Sequence, residues 1–328
     1  MLSRVADNIY WMARYLERAE HTARLLGIHL NLILDLPTES EAERTGRLFE
    51  GLGIARPPEV PPQSVPVTHY LALEPTLPGS VFSCVAAARR NARGLRDHIS
   101  SEMWGQLNRL YLRLGESEAS ERVHYDPQGL LREAVDGISL FHGLSASTLH
   151  RGECWQFIEL GLCLERALEV TALLSTHFRH LSKSPSGRLR DEALAGADFM
   201  EWAGLLRACG AFEAYCNRHT ADFRPARIAE FLLLDGGFPK AVRFAAERVE
   251  ECLVRIADLS QCPPDPELHR MAGKLASLLR YGKIEEILNV RGGGVPVTLD
   301  SIRAQCARLH EAVYRSFIHY AVDQAIPA

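Results

Sequence analysis

From the second residue onward, apolar side chains at Leu2, Val5, Ile9, Met12, Leu16, Ala19, Ala23, Leu26 and Leu30 recur at steps of three and four. That spacing lines one face of an α-helix and predicts a helix from Ser3 to near Asp35, with Pro37 helping to end it. Helical patterning covers residues 39–52, 79–99, 101–114, 127–149, 153–180, 199–217, 225–234, 239–260, 266–279 and 299–325. Pro127, Pro225, Pro239 and Pro266 stand where a helix can begin, because the donor they lack has no partner in a first turn. Between these segments, Arg56-Pro-Pro-Glu-Val-Pro-Pro-Gln-Ser-Val-Pro66 reads as an extended loop and Ser182-Lys-Ser-Pro-Ser-Gly187 as a second one. Strand alternation is confined to the short Val65-Pro-Val67 and Val295-Pro-Val297 pieces. The expectation is all-α: one domain over residues 1–328, a multi-helix bundle built from two pseudo-repeats, about 1–150 and 151–328, sharing one core.

The run from Phe157 to Leu174 is apolar around nearly the whole helical circumference, so its helix is buried on most sides. Glu165 and Arg166 lie inside it, and an unpaired ion in an interior costs several kcal/mol. Adjacent residues on a helix point about 100° apart, so the two cannot neutralise each other. Leu164-Glu165-Arg166-Ala167 repeats Leu16-Glu17-Arg18-Ala19, and in that alignment Leu25 and Leu26 fall on Leu173 and Leu174. The pattern predicts that the copies pair crosswise about a pseudo-two-fold axis, Glu17 with Arg166 and Arg18 with Glu165. Glu-Arg also occurs at Glu43-Arg44, Glu121-Arg122 and Glu247-Arg248, outside the Leu-Glu-Arg-Ala frame.

The N-terminal run from Met1-Leu-Ser-Arg-Val-Ala-Asp-Asn-Ile-Tyr-Trp-Met-Ala-Arg through Tyr15-Leu-Glu-Arg-Ala-Glu-His-Thr-Ala-Arg-Leu-Leu26 resembles the opening signature of the α-E domain family, an all-helical bacterial family named for its Glu-Arg motif. Further stretches agree in order: Arg90-Asn91-Ala92-Arg93, Arg96-Asp97, Ile99-Ser100 and Glu102-Met103-Trp104 through Asn108; then Leu205-Leu206-Arg207-Ala208 with Glu213-Ala214-Tyr215, and Phe231-Leu232-Leu233-Leu234-Asp235 with Phe238-Pro239. Val170 stands where the spacing of Thr22 would put a threonine in the second copy, and Lys240-Ala241 replaces the usual Arg-Ser. The resemblance implies association with circularly permuted ATP-grasp ligases, often with transglutaminase-like proteins, in amide-forming or peptide-modifying systems. It brings no activity of the helical domain itself.

Composition adds limits. With 328 residues, 47% hydrophobic and 24% charged, the chain can bury a large core. A formal charge of −4 gives no ground for non-specific binding to nucleic acid or anionic membranes. Eight cysteines without Cys-x-x-Cys spacing fit reduced core thiols. The first helix carries Arg4, Asp7 and Arg14 where a signal peptide needs an uninterrupted apolar region, and no uncharged run spans a bilayer. A cytoplasmic location is expected, with homo-oligomerisation left open.

Candidate chemistry concentrates on the first helix, where Asp7, Trp11, Arg14, Arg18 and His21 lie opposite the aliphatic seam, flanked by Tyr10 and Glu17. Such a face is either a second packing surface whose ions bridge helices or a cleft for an anion or partner, since arginine forks suit carboxylate and phosphate. Glu20 and Arg24 are in the favourable i,i+4 order. Arg89, Arg90, Arg93 and Arg96 read as one helical stripe, either a solvated face or an extension, with Asp97, of the charged network; Trp104, Asn108 and Tyr215 complete the candidate pocket or interface. His177-x-x-His180 and a single Glu121-x-x-His124 do not make a di-iron set, and His-Glu-x-x-His is absent, so no metal or other cofactor is expected. Arg291-Gly-Gly-Gly-Val-Pro296, ahead of a helix that Thr298 or Asp300 could cap, lacks the ending of a P-loop and reads as a turn. Two functions remain: a non-catalytic helical partner of an ATP-grasp ligase, or an enzyme using Glu17 or Glu165 as acid or base with Arg14, Arg18 or Arg166 holding an anionic substrate.

Overall fold

The computed structural model describes residues 3–35, 40–183, 196–220, 222–260, 265–288 and 295–318, and among them there are fifteen α-helices and no strand. In chain order these are α1 (Ser3–Asp35), α2 (Glu41–Leu52), α3 (Ser64–Leu73), α4 (Val81–Arg93), α5 (Ser101–Leu114), α6 (Ser117–Tyr125), α7 (Pro127–Thr148) and α8 (Glu153–Lys183). The remainder are α9 (Gly196–Ala208), α10 (Phe212–His219), α11 (Pro225–Leu234), α12 (Val242–Ser260), α13 (Pro266–Tyr281), α14 (Ile284–Leu288) and α15 (Val295–Phe317). The molecule is all-α, as the periodicity predicts.

The boundaries follow local chemistry. Ser40 and Glu43 form a reciprocal capping box at α2, and the Ser80 and Ser100 hydroxyls accept from Ser83 and Met103 backbone N–H groups at α4 and α5. Asp126 caps α7 and Asp265 caps α13, each followed by proline as the first helical residue. Pro239 does not begin a helix; it lies in the turn before α12. The proline-rich loop is shorter than expected, because Pro66 sits in the first turn of α3, where a helix needs no donor, and Val65-Pro-Val67 is helical. Val295-Pro-Val297 likewise opens α15. The segment predicted over 79–99 stops at Arg93, and residues 94–98 form turns, so Arg96 and Asp97 are not on the helix of Arg89, Arg90 and Arg93. The segment predicted over 199–217 is split at Gly210, whose φ of 60° is glycine territory. There the Ala211 N–H bonds back to the Leu206 carbonyl at 2.7 Å, closing α9 before α10 starts. The greater part of the 182–187 loop, the Arg291–Gly294 stretch and the tail beyond residue 318 lie outside the described residues.

Helices α1 and α8 form the axis of the bundle. α4, α7 and α9 pack on α1; α12, α15 and α2 pack on α8. Ile9, Met12, Leu16, Ala19, Ala23 and Leu26 are all buried, and one continuous hydrophobic cluster extends from Ala6 to Val313, so both parts of the chain share a core. The opposite face of α1 is also covered: Tyr10 is fully buried, and Arg14, Glu17, Glu20 and His21 are buried beside it. α1 and α8 pack tightly at Gly161, where a Cβ would stand 2.5 Å from the Tyr10 carbonyl oxygen and 3.3 Å from the Ala13 Cβ. Because the first obstruction is backbone, the helices must separate to admit a methyl group. Gly161→Ala is therefore expected to destabilise by about 1–3 kcal/mol despite alanine's better helix propensity. A lower urea midpoint at unchanged m-value would register this, and an unchanged midpoint would show that the contact yields freely.

Candidate functional site

The two central helices bring a row of ionisable side chains into the interior. Successive turns of α1 supply Arg14, Glu17, Arg18, Glu20, His21 and Arg24, while α8 supplies Glu165, Arg166 and Glu169. The crosswise pairing expected from the repeated tetrapeptide is present. Arg166 donates from Nε to Glu17 Oε1 at 2.8 Å and from Nη2 to Glu17 Oε2 at 2.9 Å, a bidentate fork. Arg18 donates from Nε to Glu165 Oε1 at 2.7 Å. Arg14 adds a second claim on Glu165, Nε to Oε2 at 2.6 Å, with only 4% of its side chain exposed.

A loop locks onto this cluster from the far half of the chain. Asp235 Oδ1 accepts the Gly237 and Phe238 backbone N–H groups at 2.7 and 2.9 Å, turning the chain after α11. The turn presents the Pro239 carbonyl to Arg166 Nη1 at 3.1 Å and Lys240 Nζ to Glu20 Oε1 at 2.7 Å, with Glu17 Oε1 3.7 Å away. The Phe238-Pro239 stretch and the Glu-Arg pairs are thus parts of one assembly.

Burial would raise the carboxyl groups, but the guanidinium and ammonium partners outweigh it. Arg166 and Lys240 hold Glu17 well below the usual carboxylate range, Lys240 and Arg24 hold Glu20 down, and Arg14 and Arg18 do the same for Glu165. Glu169 behaves oppositely. Burial, with Glu165 and Glu17 nearby, pushes it well above the usual range. Its Oε1 has no hydrogen-bond partner among the described residues, and its Oε2 lies 3.8 Å from His21 Nδ1. His21, lowered to about 4 by burial and by Lys240, is neutral, and its Nε2 is also without a partner. Burial thus favours the uncharged forms of both the acid and the imidazole that face each other here.

Other sequence candidates lie in different settings. Trp11 packs against Tyr15, with the Arg14 guanidinium 4.7 Å from the Trp11 ring centroid. The Tyr10 hydroxyl accepts from Arg14 Nη1 at 3.5 Å and shares a hydrogen bond with His310 Nδ1 at 2.8 Å, which ties α15 to α1. Arg93, Arg96 and Asp97 are exposed and join no ion pair of the buried cluster among the described residues. Instead Arg96 stacks over Trp104 at 4.3 Å, and Arg89 stacks on Tyr111 while donating to Asn108 Oδ1 at 2.8 Å, a separate surface patch on α4, α5 and the turns between them. Tyr215 belongs to an aromatic cluster with Phe223 and Phe231, its hydroxyl bonded to the Asp222 carbonyl. Cys84, Cys163, Cys209 and Cys306 are free and pushed up to about 12 by burial, inert thiols of the core.

Glu20, His142, Glu169 and Lys240 are members of the cluster that sequence reasoning did not assemble. Glu169 had a signal, one turn after Glu165 on the same apolar helix; His142 and Lys240 had none, since only tertiary packing brings α7 and the 235–240 turn here. Glu17, Glu20 and His142 each place one ligand-type atom within 4.8 Å of the others. They suit a resident divalent cation poorly, because Arg166, Lys240 and Arg24 already bind both carboxylates and would repel it.

The sequence profile of the Alpha-E family, described as a predicted alpha-helical domain with a conserved ER motif, matches residues 1–318. The chain belongs to the Alpha-E family. The two copies of the Glu-Arg pair in this member are each other's partners. Uncharacterized proteins of Mycobacterium bovis and of two strains of Mycobacterium tuberculosis are 25% identical to it over 344 residues, which cover 95% of this chain and 35% of theirs. The Alpha-E chain thus spans about a third of the length of these curated relatives. No solved structure matches it. No helix among the described residues is long and apolar enough to cross a membrane.

Proposed function

We propose that this chain is a helical accessory protein of an ATP-grasp, amide-forming ligase system in peptide or amide biosynthesis or modification, without catalysis of its own. The observation that supports this most is the fate of the Glu-Arg pairs: Glu17, Arg18, Glu165 and Arg166 neutralise one another across the α1–α8 seam and so build the scaffold. The mycobacterial relatives carry additional chain beyond the matched part, and the partner proposed for this helical unit is an ATP-grasp ligase, with a transglutaminase-like protein where one occurs. We read the crosswise copies as the trace of two pseudo-repeats, about 1–150 and 151–328, in a cytoplasmic protein that binds neither nucleic acid nor membrane. Co-expression with an ATP-grasp ligase encoded beside it should give a complex that co-elutes in size-exclusion chromatography, with amide formation dependent on this chain. A ligase equally active without it would defeat the proposal.

One observation favours a second reading, an enzyme acting on an anionic peptide-like or amide substrate. Glu169 and His21 face each other with an unmatched polar atom on each, and burial favours the neutral form of both, which is the state a proton donor and acceptor need. Turnover of ligase products by the purified chain alone, abolished in Glu169→Gln, would establish that reading and displace the first.

A further inference from the structure

The buried cluster is not electrically balanced. Arg14, Arg18, Arg24, Arg166 and Lys240 meet Glu17, Glu20 and Glu165, and even with Glu169 counted as ionised the cations outnumber the carboxylates. With Glu169 neutral each end carries one cation too many: Arg14 and Arg18 share Glu165, and Arg24, Arg166 and Lys240 surround Glu17 and Glu20 alone. Arg166 makes three hydrogen bonds, two in its fork on Glu17 and one to the Pro239 carbonyl. The other two cations of that end make one each. Arg24 Nε and Lys240 Nζ both donate to the same oxygen, Glu20 Oε1, each at 2.7 Å, and Glu17 Oε1 stands 3.7 Å from Lys240, so the terminal amino groups of Arg24 have no hydrogen-bond acceptor among the described residues and Lys240 keeps ammonium hydrogens to spare. Glu20 is 4% exposed at its side chain, whereas Arg24 is 29% and Lys240 21% exposed, so these donors form a rim over a buried carboxylate and reach solvent. His142, from α7, brings a ring nitrogen within 4.8 Å of carboxylate oxygens of Glu17 and Glu20, beneath these donors, and its buried Nε2 is without a partner among the described residues.

A guanidinium edge, an ammonium and an imidazole with unmet hydrogen-bonding capacity, gathered over net positive charge, form a receptor for one compact oxyanion. We propose that the rim of Arg24, Lys240 and His142 binds a single carboxylate or phosphoryl group. The charge of the ligand offsets the cationic excess, and its oxygens take the donors that Glu20 Oε1 leaves over. The site stands on its own donors and does not depend on whether the chain acts as an accessory protein or as an enzyme.

The probes are inorganic phosphate and acetate, titrated into the full chain at constant ionic strength with chloride as the control anion. One of them should bind saturably at one site per chain, seen by calorimetry and by a rise in the thermal midpoint beyond that given by chloride. Arg24→Gln, a change at the solvent-reaching member of an i,i+4 pair, should weaken that binding at least tenfold, and Lys240→Arg, which keeps the charge over Glu20, should retain it. Binding of phosphate alone assigns a phosphoryl ligand and binding of acetate alone a carboxylate. Absence of saturable binding by both, or binding that Arg24→Gln leaves unchanged, overturns the proposal.

Discussion

Glu165→Gln is expected to cost about 3–5 kcal/mol of folding stability, the range for a buried ion pair broken on one side. The loss is large because a single carboxylate serves two arginines. Oε2 accepts from Arg14 and Oε1 from Arg18, and without their charge Arg14 remains as a 96% buried cation with no counterion. The glutamine amide can keep one hydrogen bond, but its NH2 group points donors at donors. Glu267→Gln provides the contrast, because the Glu267–Arg270 pair is more than half exposed and its removal should change stability by no more than about 0.5 kcal/mol. Urea denaturation of the two variants at neutral pH makes the comparison. A Glu165→Gln loss below about 1 kcal/mol would mean that water reaches the seam and that the cluster does not hold α1 against α8. The same reasoning predicts a rescue: replacing Arg14, Arg18 and Glu165 together with apolar residues of similar volume should recover much of what the single change loses, since no ion is then stranded.

What the chain makes legible and what it hides divide along physical lines. The crosswise pairs could be read because an apolar circumference leaves Glu165 and Arg166 few partners and because the same tetrapeptide occurs twice. Helical geometry and the cost of a buried charge suffice for the pairs but not for the distribution of the bonds: nothing in the sequence says that Glu165 takes Arg14 as well as Arg18, or that Lys240, 220 positions after Glu20, arrives by a turn pinned on Asp235. Local stops were misread where one residue outweighed periodicity. Gly94 ends α4 with its N–H on the Asn91 carbonyl, and this moves Arg96 and Asp97 off the arginine stripe and onto the Trp104 side. Pro66 suggested loop by composition, yet in a first turn its missing donor has no consequence. Of the two readings of the polar face of α1, a packing surface whose ions bridge helices describes Arg14, Glu17 and His21, all of them buried. The cleft reading keeps a foothold only at the edge, where Arg24 and Lys240 reach water.

The carboxyl groups of the cluster also fix how stability should vary with pH, in opposite directions. Glu17, Glu20 and Glu165 are held below their ordinary 4.5, so the unfolded chain takes up protons before the folded one does. Their contribution is complete above about pH 4.5 and is lost as pH falls through the depressed folded values; a buried, paired carboxylate typically contributes on the order of 2–3 kcal/mol in this way. His21, lowered from 6.5 to about 4, adds to the acid loss from pH 6.5 downward. Glu169 runs the other way. Its folded value is raised, so its neutral form stabilises fully below pH 4.5 and that contribution is lost as pH rises towards the folded value. Around it stand His21 on α1, Arg18 and Glu17 on the same helix, Glu165 one turn earlier on α8, and Lys240 from the turn before α12, and the two carboxylates together with burial outweigh the cations. Glu169→Gln replaces the neutral acid with a neutral amide of the same shape. Its stability should match that of the parent near pH 4.5 and exceed it progressively at higher pH, by about 1.4 kcal/mol per pH unit until Glu169 ionises in the folded protein. Parallel urea titrations of parent and variant from pH 5 to 8 isolate the effect, because every other group cancels in the difference. A difference constant across that range would show that Glu169 titrates as an ordinary carboxyl, and the uncharged acid–imidazole pair at the centre of the bundle would have to be abandoned.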